Sequence, residues 1–135
     1  MAAKTKTKAP TGPQRIELRI KGEIVPAVRM TQRGKWVKPE AQAYIKCKSD
    51  TAHQARLQLP PGFTMFAQRP LRVTIHMSLT RNLHKRDFDN LQKSLTDPLQ
   101  GIVYQNDSWI DESYFSKTLG SEEDEAVIVI EVINE

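Results

Sequence analysis

The stretch LRVTIHMSL, residues 71–79, alternates apolar and polar side chains without a break. Successive side chains on a strand point to opposite faces, so this pattern predicts a strand with one apolar face. Further along, Leu91, Leu95 and Leu99 recur every four residues and predict an amphipathic helix over Asn90–Gln100. A strand followed by a helix therefore forms the predicted centre of the fold.

The chain before this centre carries a second strand and a second helix. Alternation over Arg15–Lys21 predicts a half-buried strand. A helix is predicted from Pro39, since proline suits a first turn, to about Gln58, before Pro60-Pro61-Gly62. Residues 1–14 hold lysines, glycine and prolines without periodicity, so we expect a disordered basic arm there.

The chain after the centre adds two strands. A turn over Gln105–Ser108 leads to weaker strand material over Trp109–Leu119. Ala126–Ile133 is nearly continuous and β-branched, which is typical of a strand covered on both faces. The predicted fold is α+β (mixed α/β), one domain over residues 15–135, with a β-α-β-α-β-β order and a mixed sheet flanked by two helices. If the strands around the second helix are parallel, their connection should be right-handed.

Charge is strongly segregated along the 135 residues, whose net charge is +4. Residues 1–86 contain 18 Lys and Arg but 4 Asp and Glu, whereas residues 87–135 contain 2 and 12. This segregation indicates either a polyanionic partner for the basic part or a dipolar surface that aids solubility.

Cysteine content and hydropathy exclude several classes of protein. Cys47 is the only cysteine, so no intrachain disulfide forms and a cysteine-based zinc site is not expected. No stretch approaches the roughly 20 apolar residues of a membrane span, and the N-terminus does not read as a signal peptide. We expect a cytoplasmic protein without a membrane partner.

Two basic segments are the candidate DNA contacts. The first is a loop around Trp36, an aromatic side chain that suits either base stacking or a core anchor. The second follows the central strand. The predicted contacts in the two segments are Arg29, Arg33, Lys35, Lys38, Arg81, His84, Lys85 and Arg86.

An acidic segment follows the central strand and carries the candidate chemistry. Asp87 and Asp89, two residues apart, can share one cation, and Asp107 can complete the site from the next turn. Lys93 lies one helical turn after Asp89, where its ammonium can offset charge on a phosphate. Carboxylate oxygens are ligands that Mg²⁺ prefers, so this pattern is compatible with metal-dependent phosphodiester hydrolysis.

A structural interpretation of the same residues stays open. Asp89 with Gln92 has the spacing of an N-terminal capping box. Lys93 can form ordinary surface ion pairs with its neighbours, and Asp107 can stabilise a turn. Capping by Asp89 leaves Asp87 without an explanation, which favours the metal site.

The segment RDFDNLQK, residues 86–93, followed by Asp97, Leu99, Gly101 and Asp107-Ser108, resembles the RusA family of Holliday junction resolvases. The resemblance implies a homodimer that binds four-way junctions and related branched DNA in recombination and repair. It implies paired symmetric nicks with Mg²⁺, or Mn²⁺ as a substitute, without an organic cofactor, in a bacterial or phage-encoded protein. By motif position, it implies metal-binding and catalytic Asp87, Asp89 and Asp107, catalytic or phosphate-contacting Lys93, and supporting Asn90, Asp97 and Asn106.

Asn106 departs from the family pattern, which commonly has two aspartates at the positions of Asn106 and Asp107. Asn106 keeps an oxygen ligand but lacks the charge, so weaker metal affinity is expected if this position binds metal. The alternative functions are a branched-DNA-binding protein with weak or no cleavage, and a purely structural domain.

Overall fold

The computed structural model describes residues 14–27, 39–81, 87–120 and 122–133. The strands are β1 (Arg15–Lys21), β2 (Leu71–Leu79), β3 (Ile110–Leu119) and β4 (Glu125–Val132). The helices are α1 (Pro39–Gln58) and α2 (Phe88–Thr96), and short 3₁₀ helices span Asp97–Leu99 and Asp107–Trp109. The predicted mixed α/β class and the order of the elements are confirmed.

The four strands form one mixed sheet in the order β1-β4-β2-β3. β4 runs antiparallel to both of its neighbours, whereas β2 and β3 are parallel and are connected through α2. The chain therefore returns along α2 from the end of β2 to the start of β3. This return places the two ends of α2 near opposite ends of the sheet.

One face of the sheet carries the core. The alternating residues of β1, β2 and β4 turn their apolar side chains to this face, where Leu91, Leu95 and Leu99 meet them, all three fully buried. α1 adds Ala55 to the same cluster. Both helices thus cover the same face, and the predicted leucine stripe of α2 is confirmed.

α2 differs from its predicted bounds at both ends. It begins at Phe88 rather than Asn90, because Asp87 is the N-cap instead of Asp89. It ends at Thr96 rather than Gln100, and Pro98 lies in the 3₁₀ turn that follows. Proline lacks the amide hydrogen that a continuing α-helix needs, which accounts for the early end. Gly101 then takes a φ of 84°, as expected at the end of a helical segment.

β4 is not covered on both faces as predicted. Its side chains alternate between buried and half-buried along the strand. The half-buried face is the one opposite the helices, where Arg72 forms ion pairs with Glu112 at 2.8 Å and with Glu131 at 3.2 Å. Val127 and Val129 lie on this polar face. Because both are apolar, the sequence of β4 is nearly continuously apolar and predicted cover on both faces.

β1 is an edge strand whose free side is covered by α1. Gln54 accepts a hydrogen bond from the Lys21 amide at 2.8 Å and donates to its carbonyl at 2.7 Å. Gln58 does the same for Arg19 at 2.8 and 2.6 Å. The two carboxamides satisfy the backbone groups that a fifth strand would otherwise pair.

Within the described residues, no helix is long and apolar enough to cross a membrane. The predicted basic arm lies outside the described residues except for Gln14, whose carbonyl accepts a hydrogen bond from the Val132 amide at 2.9 Å.

Candidate active site

The first turn of α2 presents two exposed carboxylates. Asp87 has an extended backbone, and its Oδ1 accepts a hydrogen bond from the Asp89 amide at 3.1 Å. Asn90 Nδ2 lies 3.5 Å from Asp87 Oδ2. Asp87 therefore has the capping role that the sequence interpretation gave to Asp89, and this cap holds its carboxylate at the N-terminus of α2.

The chain that follows β1 reaches this same turn at Ala27. The Ala27 amide donates a hydrogen bond to the Asn90 carbonyl at 3.0 Å. The segment predicted to carry Arg29, Arg33, Lys35 and Lys38 begins one residue later, outside the described residues. Ala27, the last described residue before that segment, is thus bonded to the turn that carries the two exposed carboxylates.

A buried carboxylate on the turn before β4 joins the two chain paths that lead to the basic segments. Asp124 Oδ2 accepts a hydrogen bond from the Ile24 amide at 3.0 Å. Its Oδ1 accepts from the Thr80 amide at 2.9 Å and from the Thr80 hydroxyl at 3.2 Å. Asp124 is 5% exposed, and its bonds hold the chain at Ile24 and at Thr80, after which the two basic segments follow in sequence. The sequence interpretation placed Asp124 in an acidic turn and missed this role, for which only the acidic run gave a signal.

The second basic segment is described only at its start. Arg81 is exposed, and its Nη2 lies 3.7 Å from Glu23 Oε2, a weak surface ion pair. His84, Lys85 and Arg86 lie outside the described residues, as does Trp36. Their predicted contacts with DNA remain predictions.

The far end of α2 holds a second acidic pair, Asp97 and Asp107. Tyr44 of α1 donates a hydrogen bond to Asp97 Oδ2 at 3.1 Å. The Asp107 amide donates to Gln100 Oε1 at 3.2 Å, close to the end of α2. Asn106 caps the short 3₁₀ helix, since its Oδ1 accepts from the Ser108 amide at 2.9 Å.

Two buried tyrosines stand next to this second pair. Tyr104 donates to the Thr96 carbonyl at 2.6 Å. Burial first, and then the carboxylates of Asp107 and Asp97, raise the pKa of Tyr104 well above its ordinary range. Burial and Asp97 likewise raise the pKa of Tyr44. Both phenols therefore stay protonated and serve as hydrogen-bond donors at neutral pH.

Lys93 lies between the two pairs on the exposed face of α2. Within the ranges that the structure describes, the side chains of Asp89, Lys93 and Asp107 take part in no ion pair shorter than 4.0 Å. The surface ion pairs that would have explained the spacing from Asp89 to Lys93 are thus not formed.

The structure brings the predicted metal ligands together only in part. Asp87 and Asp89 lie at the start of α2, whereas Asp97 and Asp107 lie at its end. Asp97 follows Asp89 by eight residues, about 12 Å along a helix axis, and Mg²⁺ binds oxygen at about 2 Å. Among the described residues, no group of three or more His, Cys, Asp or Glu side chains could hold a metal ion. The donor set is entirely oxygen, which suits Mg²⁺, but one ion shared by Asp87, Asp89 and Asp107 remains a prediction.

An aromatic pair borders the first acidic pair. The Phe88 ring lies 4.7 Å from the Phe115 ring in an edge-to-face arrangement, and Lys117 Nζ lies 4.7 Å from the Phe88 centroid. One helical turn on, Gln92 donates a hydrogen bond to the Ser113 hydroxyl. α2 is thereby held against β3 by two contacts in register. The sequence pattern gave no role to Phe88, although it lies within the acidic segment.

A family model described as endodeoxyribonuclease RusA matches residues 9–132. No curated protein matches the chain significantly. The match includes every element of the fold and all the carboxylates described above.

Proposed function

This chain belongs to the endodeoxyribonuclease RusA family, and we propose that it is a Mg²⁺-dependent nuclease that resolves four-way DNA junctions. The observation that carries the proposal is the exposed acidic face of α2, with Lys93 between two carboxylate pairs and with Ala27 hydrogen-bonded to Asn90 in its first turn. Phosphate contacts from the basic segments would hold the DNA backbone against this face.

The proposed metal ligands are Asp87, Asp89 and Asp107, with Asn90, Asp97 and Asn106 in support. Mg²⁺ when bound, or Mn²⁺ in its place, supplies activation of a water molecule and neutralisation of charge on the phosphate. Lys93 places an ammonium group on the same face, where it offsets charge that develops on the phosphate. Asp97 acts through position, because Tyr44 holds its carboxylate.

The proposed assembly is a homodimer. A four-way junction offers two equivalent strands, so two copies of one active site cut them in a symmetric pair of nicks. Such cleavage serves recombination and repair of DNA in the bacterial cytoplasm. The protein is encoded by a chromosomal gene or by a phage gene.

The test is cleavage of labelled four-way junctions with Mg²⁺. Asp89→Asn and Asp107→Asn should each abolish detectable products, because each acidic pair is needed. Asp50→Asn is the matched control, since Asp50 is an exposed carboxylate of α1 that pairs with Lys46 at 2.8 Å. No product from the wild-type protein, or equal product from Asp89→Asn, would contradict the proposal.

A second candidate function is junction binding with weak or no cleavage. It is favoured by the separation of the two acidic pairs and by Asn106, which lacks a charge and is engaged in a cap. Asn106→Asp keeps the capping oxygen and adds the charge. If that variant cleaves junctions that the wild-type protein only binds, the second function is supported. If the wild type cleaves equally well, it is excluded.

A further inference from the structure

Phe88 stands between the two carboxylates of the first acidic pair and is 45% exposed. Exposed phenylalanine at the first position of a helix has no use in capping, which Asp87 provides through its own side chain. Phe88 also adds little to the core, because Leu91, Leu95 and Leu99 form the buried stripe of α2. Its exposure needs another explanation.

The ring of Phe88 is held in place rather than loosely displayed. Phe115 packs edge to face against it at 4.7 Å, and Phe115 is itself half-buried on the core. The bond between Gln92 and Ser113 fixes the next turn of α2 on the same strand. A rigid aromatic surface loses little conformational entropy when a ligand stacks on it.

The surroundings of the ring match a nucleotide. Lys117 Nζ lies 4.7 Å from the ring centroid and places positive charge beside it. Asp87 and Asp89, the proposed metal ligands, are its immediate neighbours in the chain. A phosphate held at the acidic face would therefore bring its adjoining base to Phe88.

We propose that Phe88, supported by Phe115 and Lys117, stacks on an unpaired or unstacked base at the branch point of the DNA. This proposal rests on the proposed function, because it assigns the kind of DNA that the same site selects. Aromatic side chains bind single-stranded nucleic acid by stacking on successive bases, and arginine or lysine nearby adds to that contact. In a continuous duplex each base is already stacked on both sides, and exposing it costs free energy, least where pairing is already broken. Phe88 thus favours branched over linear DNA.

The test measures binding with Ca²⁺ in place of Mg²⁺, so that the carboxylates keep a cation with oxygen ligands and the readout is binding rather than cleavage. The probes are a four-way junction carrying 2-aminopurine at the branch point and a linear duplex of equal length. Phe88→Leu keeps an apolar contact with Phe115 but has no aromatic face, whereas Phe88→Trp keeps one. Tyr114→Leu is the matched control, because Tyr114 is an aromatic residue that is 56% exposed and lies on the opposite face of β3.

Phe88→Leu should raise the Kd for the junction about 5-fold to 100-fold and leave the Kd for the linear duplex unchanged. The 2-aminopurine fluorescence change should be lost in Phe88→Leu and kept in Phe88→Trp and Tyr114→Leu. Thermal melting shows whether Phe88→Leu is folded. If it is not, the junction Kd and the 2-aminopurine signal of Phe88→Trp are compared with those of the wild type.

Three results would overturn the proposal. The first is that Phe88→Leu binds the junction as tightly as the wild type does. The second is that the 2-aminopurine signal is the same in every variant as in the wild type. Phe88→Leu could instead dissociate the protein into monomers in sedimentation, which would make Phe88 an interface residue between copies. Failure of the wild type to bind any junction would reject the proposed function as well, so the two failures are distinguishable.

Discussion

At the scale of single residues, Asp87 both caps α2 and contributes a negative charge to the first acidic pair. Its Oδ1 caps α2 through the Asp89 amide, and its charge belongs to the first acidic pair. An N-cap stabilises a helix by about 1 kcal/mol, and asparagine caps about as well as aspartate. Asp87→Asn therefore separates the two roles, because it keeps the capping oxygen and removes the charge that a cation would need.

Asp124 should contribute more to stability than any other single carboxylate in the described ranges, since it is the buried one. Asp124→Asn replaces one acceptor oxygen with a donor that faces the amide or hydroxyl of Thr80, or the amide of Ile24. We expect the free energy of unfolding to fall by about 3 kcal/mol, measured by urea denaturation. Glu123→Gln, an exposed neighbour, is the control and should change little. A loss below that of the control variant would contradict the linking role of Asp124.

Tyr104 predicts a pH dependence of stability. Its pKa in the folded protein lies above the usual value of about 10, so the unfolded chain releases the proton first as the pH rises. Above about pH 10 the unfolded state binds fewer protons, and the free energy of unfolding falls by about 1.4 kcal/mol per pH unit. Below about pH 10 both states keep the proton, and Tyr104 makes no difference to the slope.

Tyr104→Phe removes this ionisation and tests its contribution. Urea denaturation of the two proteins between about pH 10 and pH 11 should give a shallower decline for the variant. Equal slopes in that range would show that Tyr104 ionises in the folded protein as readily as in the unfolded chain.

At the scale of elements, the contact between α1 and β1 is decided by two glutamines. Gln54 and Gln58 are four residues apart and lie on one side of the helix, whereas Lys21 and Arg19 are two residues apart on the strand. The rise of four helical residues, about 6 Å, matches that of two strand residues, about 6.6 Å. This match lets a helix cover the backbone of an edge strand.

The double variant Gln54→Ala and Gln58→Ala should expose that edge. We expect a loss of about 2 kcal/mol in the free energy of unfolding, because the backbone groups of Lys21 and Arg19 lose the carboxamides that bond them. The exposed edge should also promote self-association, measured by light scattering at increasing concentration. His53→Ala, on the exposed side of the same helix, should show neither effect. Unchanged scattering in the double variant would mean that the glutamines do not protect the edge.

At the scale of the whole molecule, charge and topology act together. Residues 1–86 carry most of the positive charge, and α2 carries the acidic face. The bonds from Ala27 to Asn90 and from Asp124 to Thr80 bring the starts of both basic segments to the same end of the sheet. The charge that is segregated along the sequence thus meets the fold at one end of the sheet, where the chain enters both basic segments.

Junction binding should therefore depend steeply on salt through the first basic segment. Neutralising Arg33 and Lys35 together, as Arg33→Gln and Lys35→Gln, should reduce the slope of log K against log salt by about 1.8 if each contacts one phosphate. Lys46→Gln is the control, since Lys46 is already paired with Asp50 on α1. Equal slopes for the double variant and the wild type would place the DNA elsewhere on the protein.

The local pattern of the sequence determined most elements of the fold and indicated the family. Alternation predicted β1 and β2, the leucine repeat predicted the buried stripe of α2, and the motif at residues 86–93 indicated the family that the comparison confirmed. These features depend on neighbours in the chain, since periodicity decides which side chains share a face. The bounds of α2 were less accurate, because Pro98 and the cap by Asp87 act through individual hydrogen bonds.

Only the tertiary structure decided which distant residues meet. The cover of β1 by Gln54 and Gln58, the bonds of Asp124 and the contact of Phe88 with Phe115 all join segments that the sheet order β1-β4-β2-β3 brings together. The length of α2 separates Asp87 and Asp89 from Asp97, although the sequence placed them in one cluster. The physical reason is that α2 is a rigid spacer of about 1.5 Å per residue, and proximity along it is not proximity around a metal ion.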